Sequence, residues 1–456
     1  MKYILIAIVL LFACVEDMPY DDPNPFDPTA YPDVKNGERL DLVWKAERVL
    51  KVPNEYGGLQ SLKFGIDGDK IIVARDFFIE CFDKNNGELV WRTEVTPISY
   101  YKKISFDKSN EMIIENNIVY IIGQNKIYTL NLQTGDLIWE YTSAGKEGFA
   151  IRHESLTHSK DALYYSVRGV DDPAYLYALS KSDGFLLWKT EQLIKERLGS
   201  PGGVLFLGPP AYSPSNNRIY LGTKSIRGGY YSGTIICVDA ENGAKIWEKN
   251  VAQVGAEYLT NGLNEADYPM ASPTDAHTEP KIVDNGIVFR AGKLVCKMDF
   301  DGNLIWASIL HLNGITRPNR QSGGELIGNS FFDFSFFSSV GSYGGEFDIN
   351  TGKMIWSSSM SSKLSPGTSL AFYTNHYDPT TGTIYIVTDG AELVGIDKNT
   401  KKRTWDLSLA RQQYWEDDKW NKAEFWGSYT VEGDRVYFLG TKYIFCYQRI
   451  PKEEAE

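Results

Sequence analysis

The stretch DKNNGELVW, Asp83 to Trp91, reads as a tight β-hairpin: a strand ends, Asn85-Asn86-Gly87 turns the chain, and Leu89, Val90 and Trp91 open the next strand. Asn-Gly is a strong hairpin signal because both residues tolerate positive φ. The same sentence recurs as NLQTGDLIW (Asn131 to Trp139), SKSDGFLLW (Ser180 to Trp188), DAENGAKIW (Asp239 to Trp247), MDFDGNLIW (Met298 to Trp306), DINTGKMIW (Asp348 to Trp356) and DKNTKKRTW (Asp397 to Trp405). Six of the seven copies place Gly four residues before Trp, and the seventh has Lys401 there, so its turn must differ. Successive Trp residues are 48, 49, 59, 59, 50 and 49 positions apart. A strand-built period of roughly 40–50 residues is the mark of a β-propeller.

One unit resolves into four short strands. NEMIIEN (Asn110 to Asn116), NIVYIIG (Asn117 to Gly123), KIYTLNL (Lys126 to Leu132) and DLIWEYT (Asp136 to Thr142) are β-rich runs separated by turn residues. Their near-continuous apolar character suits a blade covered on both faces by its neighbours. Near the N-terminus, DLVWKAERV (Asp41 to Val49) is a fourth strand with no first three before it. Near the C-terminus, GSYTVEGDRVYFLGTKYIFCYQ (Gly427 to Gln448) is three strands with no fourth. Together they complete one blade, and such closure removes the free sheet edge. The predicted fold is therefore all-β: an eight-bladed β-propeller of four-stranded blades, closed by an N-terminal strand pairing with the C-terminal blade. Eight tryptophans hold the repeat position, Trp44, Trp91, Trp139, Trp188, Trp247, Trp306, Trp356 and Trp405, and are expected to pack between blades.

Cys81, Cys237 and Cys296 each precede the repeat Trp by 10 residues, and Cys446 has the same context in the last blade. Elsewhere that place holds Thr129, Ala178, Glu346 and Gly395. Equivalent points on packed sheets lie about 10 Å apart, too far for a disulfide, so four buried free thiols at one shared place are expected. Cys14 differs. MKYILIAIVLLFAC has one Lys, an apolar run too short to span a membrane, and then Leu11-Phe12-Ala13-Cys14. It resembles a bacterial lipoprotein signal with its lipobox, which implies cleavage before Cys14 and acyl chains on that residue, firm enough together to anchor the protein. The expected organisation is a signal over 1–13, an acidic Pro-rich tether over 14–37, a single propeller over 38–450, and an acidic tail over 451–456. Glu16 and Asp17 after the lipid-bearing Cys are similar to surface-export signals of Bacteroidota lipoproteins. The expected location is the outer membrane, with the periplasmic face and the cell surface both open. A formal net charge of −12 and only short basic clusters disfavour nucleic acid.

YTLNLQTGDLIW (Tyr128 to Trp139) and YALSKSDGFLLW (Tyr177 to Trp188) resemble the repeat of the pyrroloquinoline quinone (PQQ)-like propellers. Two groups share that repeat. One is the PQQ-dependent dehydrogenases; the other is the B component of the outer-membrane β-barrel assembly machinery, an eight-bladed lipoprotein that binds no quinone. The lipobox, the blade count and the small amount of chain outside the ring resemble the second group. The quinone enzymes typically carry an adjacent Cys-Cys pair against the cofactor, and no two cysteines here are neighbours.

Other chemistry is weakly signalled. The five histidines form no metal-binding pair, no Gly-x-Ser-x-Gly elbow occurs, and DFDGN (Asp299 to Asn303) reads as the repeat's hairpin turn before a Ca²⁺ loop. Two features escape the repeat. The longer units carry extra residues within 193–210 and 256–280. The segment QYWEDDKWNKAEFWG (Gln413 to Gly427) holds the three non-repeat tryptophans, Trp415, Trp420 and Trp426, in an expected loop that packs on its own ring or binds a ligand or partner. The expectation is a non-enzymatic, lipid-anchored scaffold, monomeric alone, with no cofactor and a periplasmic or outer-membrane protein as partner. The alternatives are a divergent dehydrogenase of a sugar or alcohol, using PQQ and Ca²⁺, and a surface glycan-binding lipoprotein.

Overall fold

The computed structural model describes residues 39–47, 63–75, 78–95, 112–122, 126–142, 152–168, 175–190, 193, 205–206, 210–227, 230–250, 280–291, 294–309, 324–337, 341–360, 376–387, 392–401, 403–408, 413–416, 419–422, 425–440 and 443–450. Cys14, the Pro-rich tether, the acidic tail and most of the two long insertions lie outside them. Among the described residues no helix is long and apolar enough to cross a membrane.

Eight antiparallel sheets form the blades. Blade 1 runs Lys63–Asp67, Lys70–Arg75, Phe78–Asp83, Leu89–Glu94. Blade 2 runs Met112–Glu115, Ile118–Ile122, Lys126–Asn131, Leu137–Thr142. Blade 3 runs Arg152–His158, Ala162–Arg168, Tyr175–Ser180, Leu186–Lys189. In blade 4 two pieces, Leu205–Phe206 and Ala211–Ser213, share the first-strand place against Arg218–Arg227, followed by Tyr230–Asp239 and Lys245–Asn250. The first piece draws part of the 193–210 insertion into the sheet. Blade 5 runs Lys281–Val283, Gly286–Ala291, Leu294–Met298, Leu304–Ile309. Blade 6 runs Glu325–Ile327, Ser330–Phe337, Gly341–Asp348, Met354–Met360. Blade 7 runs His376–Asp378, Thr383–Val387, Glu392–Asp397, Arg403–Ser408. Blade 8 takes Phe425–Glu432, Arg435–Gly440 and Tyr443–Ile450 from the C-terminus and Arg39–Glu47 from the N-terminus.

The closing pair aligns Arg39 with Ile450 and Glu47 with Tyr443. The first strand of blade 8 touches that of blade 1, so the eight-bladed ring is complete. A propeller has no single core. Its apolar side chains sit between sheets because each blade is covered on both faces. Among the described residues seven clusters fill the interfaces from blades 8 and 1 round to blades 6 and 7. Burial at these interfaces, at about 25 cal/mol per Å², is the main term that holds the ring together.

Candidate interaction surface

The turns that join third to fourth strands share one design. In blades 1, 2, 4, 6 and 7 the residue that ends the third strand, Asp83, Asn131, Asp239, Asp348 or Asp397, caps the turn with its side chain. Asp348 Oδ1 accepts the amides of Asn350 (3.0 Å) and Thr351 (2.8 Å), and Asn131 Oδ1 accepts those of Gln133 (2.8 Å) and Thr134 (3.1 Å). This is the side-chain mimic of a backbone turn that Asp and Asn make best. The turn's Gly comes next, with φ between 72° and 82° in six blades. A β-bulge on the fourth strand is present in every blade, three residues beyond that Gly where the turn has one: Val43, Val90, Ile138, Leu187, Ile246, Ile305, Ile355 and Thr404 have no partner in the ladder. A bulge re-aims the next side chain along the strand, and here that residue is Trp.

Among the described residues six indoles reach the next blade. Trp44 Nε1 donates to Lys84 O (3.1 Å), Trp91 to Leu132 O (2.8 Å), Trp139 to Lys181 O (3.0 Å), Trp188 to Ala240 O (3.1 Å), Trp247 to Phe300 O (3.0 Å) and Trp306 to Ile349 O (3.2 Å). Each ring lies over the Gly of the turn it reaches; a Cβ on Gly135 would sit 2.6 Å from the Trp91 ring. Trp356 packs, partly buried, between blades 6 and 7. Trp405 lies on the fourth strand of blade 7.

The thiols correct one expectation. Cys81, Cys237 and Cys446 stand directly opposite Trp91, Trp247 and Trp44 and pack toward the following blade. Cys296 does not share their place. The blade 5 turn is one residue shorter, so Lys297 opposes Trp306, and Cys296 packs back against blade 4. A one-residue slip reverses every side chain of a strand. Lys297 Nζ then donates to Ile349 O (3.1 Å), the carbonyl that also receives Trp306, and burial lowers the Lys297 pKa. The shortened turn is DFDGN, where Asp299 Oδ1 accepts the amides of Asp301 (3.0 Å) and Asn303 (2.8 Å). All four described thiols are free and buried. Burial pushes Cys81 and Cys237 up to about 12 and Cys446 up to about 11, and raises Cys296 also.

The rim of the ring is unusually apolar. The seven bulged aliphatics are exposed, and their preceding neighbours Leu42, Leu89, Leu137 and Leu186 join them. Phe185 is 72 % and Leu187 54 % exposed on blade 3. The bulges keep these edges from pairing with other strands. The segment after blade 7 also departs from the expected loop. Gln413–Glu416 and Lys419–Lys422 form a two-stranded ribbon with Trp415 directly opposite Trp420. Trp426 is not in that ribbon. It falls in the first strand of blade 8, at a register shift between Phe425 and Ser428. The sequence missed this because Lys-Ala-Glu-Phe carries no turn residue to mark where the strand starts.

Cys237 and Cys296 share the interface of blades 4 and 5, and all four described cysteines are free thiols. The four described cysteines belong to separate blades, each wholly buried between sheets. Among the described residues no three His, Cys, Asp or Glu side chains gather as a metal site would need.

Repeat, turn and closed ring define a PQQ-like repeat propeller. The chain belongs to the family whose model is described as outer membrane protein assembly factor BamB; the match covers residues 75–330 and 342–449. It is 23% identical over 318 residues to the outer membrane protein assembly factor BamB of Yersinia pestis, covering 66% of this chain and 69% of that one. The crystal structure of BamB from Moraxella catarrhalis superposes with a TM-score of 0.52 at 13% identity, over 91% of this chain and 99% of that chain. A europium-containing methanol dehydrogenase superposes with a TM-score of 0.57 at 14% identity, over 88% and 84% of the two chains. Likeness at such identity shows the shared fold alone.

Proposed function

We propose that this protein is a non-enzymatic scaffold of outer-membrane protein assembly, held at the outer membrane by lipid on Cys14, that docks a protein partner on its rigid ring. The observation that carries the reading is the family match over most of the chain, to a family described by its role in that assembly. Two features support it. The described cysteines are locked in apolar interfaces and protonated at neutral pH, so they offer no nucleophile. The rim offers exposed aliphatic side chains at fixed spacing, a surface suited to protein contact.

The test is depletion of the protein in the cells that make it, followed by quantitative proteomics of the outer membrane. The expected result is a drop of at least about twofold in β-barrel proteins, restored by the wild-type chain and not by Cys14→Ala. Unchanged β-barrel levels, or dye-linked alcohol oxidation by the purified protein on addition of PQQ and Ca²⁺, would overturn the reading.

A further inference from the structure

Two residues that break the repeat meet across one interface. On the third strand, the residue opposite the indole is small or uncharged in blades 1 to 4 and 8: Cys81, Thr129, Ala178, Cys237 and Cys446. In blade 6 that place holds Glu346, opposite Trp356 and only 5 % exposed. In blade 7 the Gly of the turn is replaced by Lys401, which keeps the left-handed backbone at φ 62°. The two departures pair with each other: Lys401 Nζ lies 2.5 Å from Glu346 Oε2 and 4.7 Å from the centre of the Phe332 ring. Lys401 Nζ also donates to Lys398 O. By position that is the carbonyl that would receive the Trp356 indole.

Neither face of blade 7 can therefore carry the indole-on-glycine dock. Toward blade 6, a side chain fills the place where the other interfaces have none. Toward blade 8, no turn joins third to fourth strand, because the fourth strand, Arg39–Glu47, comes from the far end of the chain.

We infer that blade 7 is an ionically latched sector. The Glu346–Lys401 pair substitutes for the indole dock, and blade 7 opens from the ring ahead of the other blades. Glu346 is buried and Lys401 half-buried; the attraction within such a pair is largely cancelled by the cost of desolvating the charges, so the latch adds little net stability. Removing Lys401 leaves the Glu346 carboxylate buried alone, and removing Glu346 leaves the half-buried Lys401 without its counter-charge. Removing both in favour of the repeat's own residue types returns the site to the dock.

The test is hydrogen–deuterium exchange read by mass spectrometry on the full chain. It compares Thr383–Val387 and Glu392–Asp397 of blade 7 with Ile118–Ile122 and Lys126–Asn131 of blade 2. In the wild type, blade 7 is expected to exchange about fivefold faster, the factor that one missing indole hydrogen bond supplies. Glu346→Ala and Lys401→Gly alone are expected to raise that rate further. The double variant is expected to exchange more slowly than the wild type, and Lys401→Arg to match it. Equal exchange of blades 7 and 2 in the wild type would overturn the inference, whether or not any variant folds. A double variant that exchanges as fast as the single ones would overturn it as well.

Discussion

At Gly135 two independent constraints act on one residue. Its φ of 75° penalises any side chain, and an added Cβ would lie 2.6 Å from the Trp91 ring. Gly68 carries the first constraint without the second: φ is 56° and nothing lies within 4 Å of its missing Cβ. The left-handed backbone alone costs an ordinary residue about 1–2 kcal/mol, and forcing a methyl into a packed contact adds about 1–3 kcal/mol. Gly68→Ala is therefore expected to lower stability by about 1–2 kcal/mol and Gly135→Ala by about 2–5 kcal/mol, read from urea midpoints at unchanged slope. Equal losses would show that the indole yields freely. The thiols give a second test at this scale. With pKa values pushed to about 11 to 12, Cys81, Cys237 and Cys446 are expected to resist thiol reagents in the native protein and to react once it is unfolded in urea. Rapid native labelling of any of them would place it outside the interface. Gly and Trp at fixed spacing were legible in the sequence, because each copy repeats both letters. The partnership between them was not: it joins Gly135 to the indole of the preceding unit, and no local pattern records which neighbour a ring covers.

The third-to-fourth-strand hairpin is the element that assembles the ring. Its cap can be Asp or Asn, and the two differ in one testable way. Backbone N–H donors, that of Thr351 first, hold the Asp348 carboxyl below the ordinary carboxylate range, and those of Thr400 act likewise on Asp397. A group whose pKa is lower in the folded state contributes stability above its unfolded value, near 3.9. That contribution is lost as pH falls from there toward the folded value. Asn131 makes the same two hydrogen bonds in blade 2 with no charge to lose. Asp348→Asn is thus expected to leave stability at pH 7 nearly unchanged and to flatten its decline below about pH 4. A large loss at pH 7 would mean that the charge, not the hydrogen bonds, holds the turn. The hairpins and the four strands of each unit could be anticipated because turn residues punctuate them; the bulges on the fourth strands could not. The shortened turn of blade 5 could not. Cys296 keeps the 10-residue spacing to Trp306, yet the hairpin loses one residue between the strands, and only the register reveals that Cys296 faces the other way. The Trp415–Trp420 ribbon was likewise hidden, since Asp417-Asp418 marks a turn without showing that its arms pair.

The whole ring depends on one strand that arrives from the other end of the chain. Arg39–Glu47 covers the edge of Tyr443–Ile450, sends Trp44 onto blade 1, and brings Lys84 within 2.8 Å of Glu432 across the closure. That surface ion pair is worth little by itself; the strand pairing and the indole supply the closure. A chain lacking residues 1–47 leaves a bare sheet edge and an undocked interface. It is expected to self-associate in size-exclusion chromatography with light scattering, whereas a monodisperse monomer would show that the ring closes without its strap. At this scale the sequence was most informative, because a shared blade leaves unmatched fragments at the two ends and seven complete copies between them. The partner was least legible: the rim's aliphatics arise from the repeat itself, and docking chemistry is written in no motif. The most direct test of the scaffold reading is cross-linking on intact cells that carry the tagged full-length protein, with mass spectrometry of the recovered proteins. Reproducible capture of a component of the β-barrel assembly apparatus, lost when Cys14 is replaced by Ala, is the predicted result. Capture of glycan-uptake proteins in its place, with no assembly component across replicates, would contradict it.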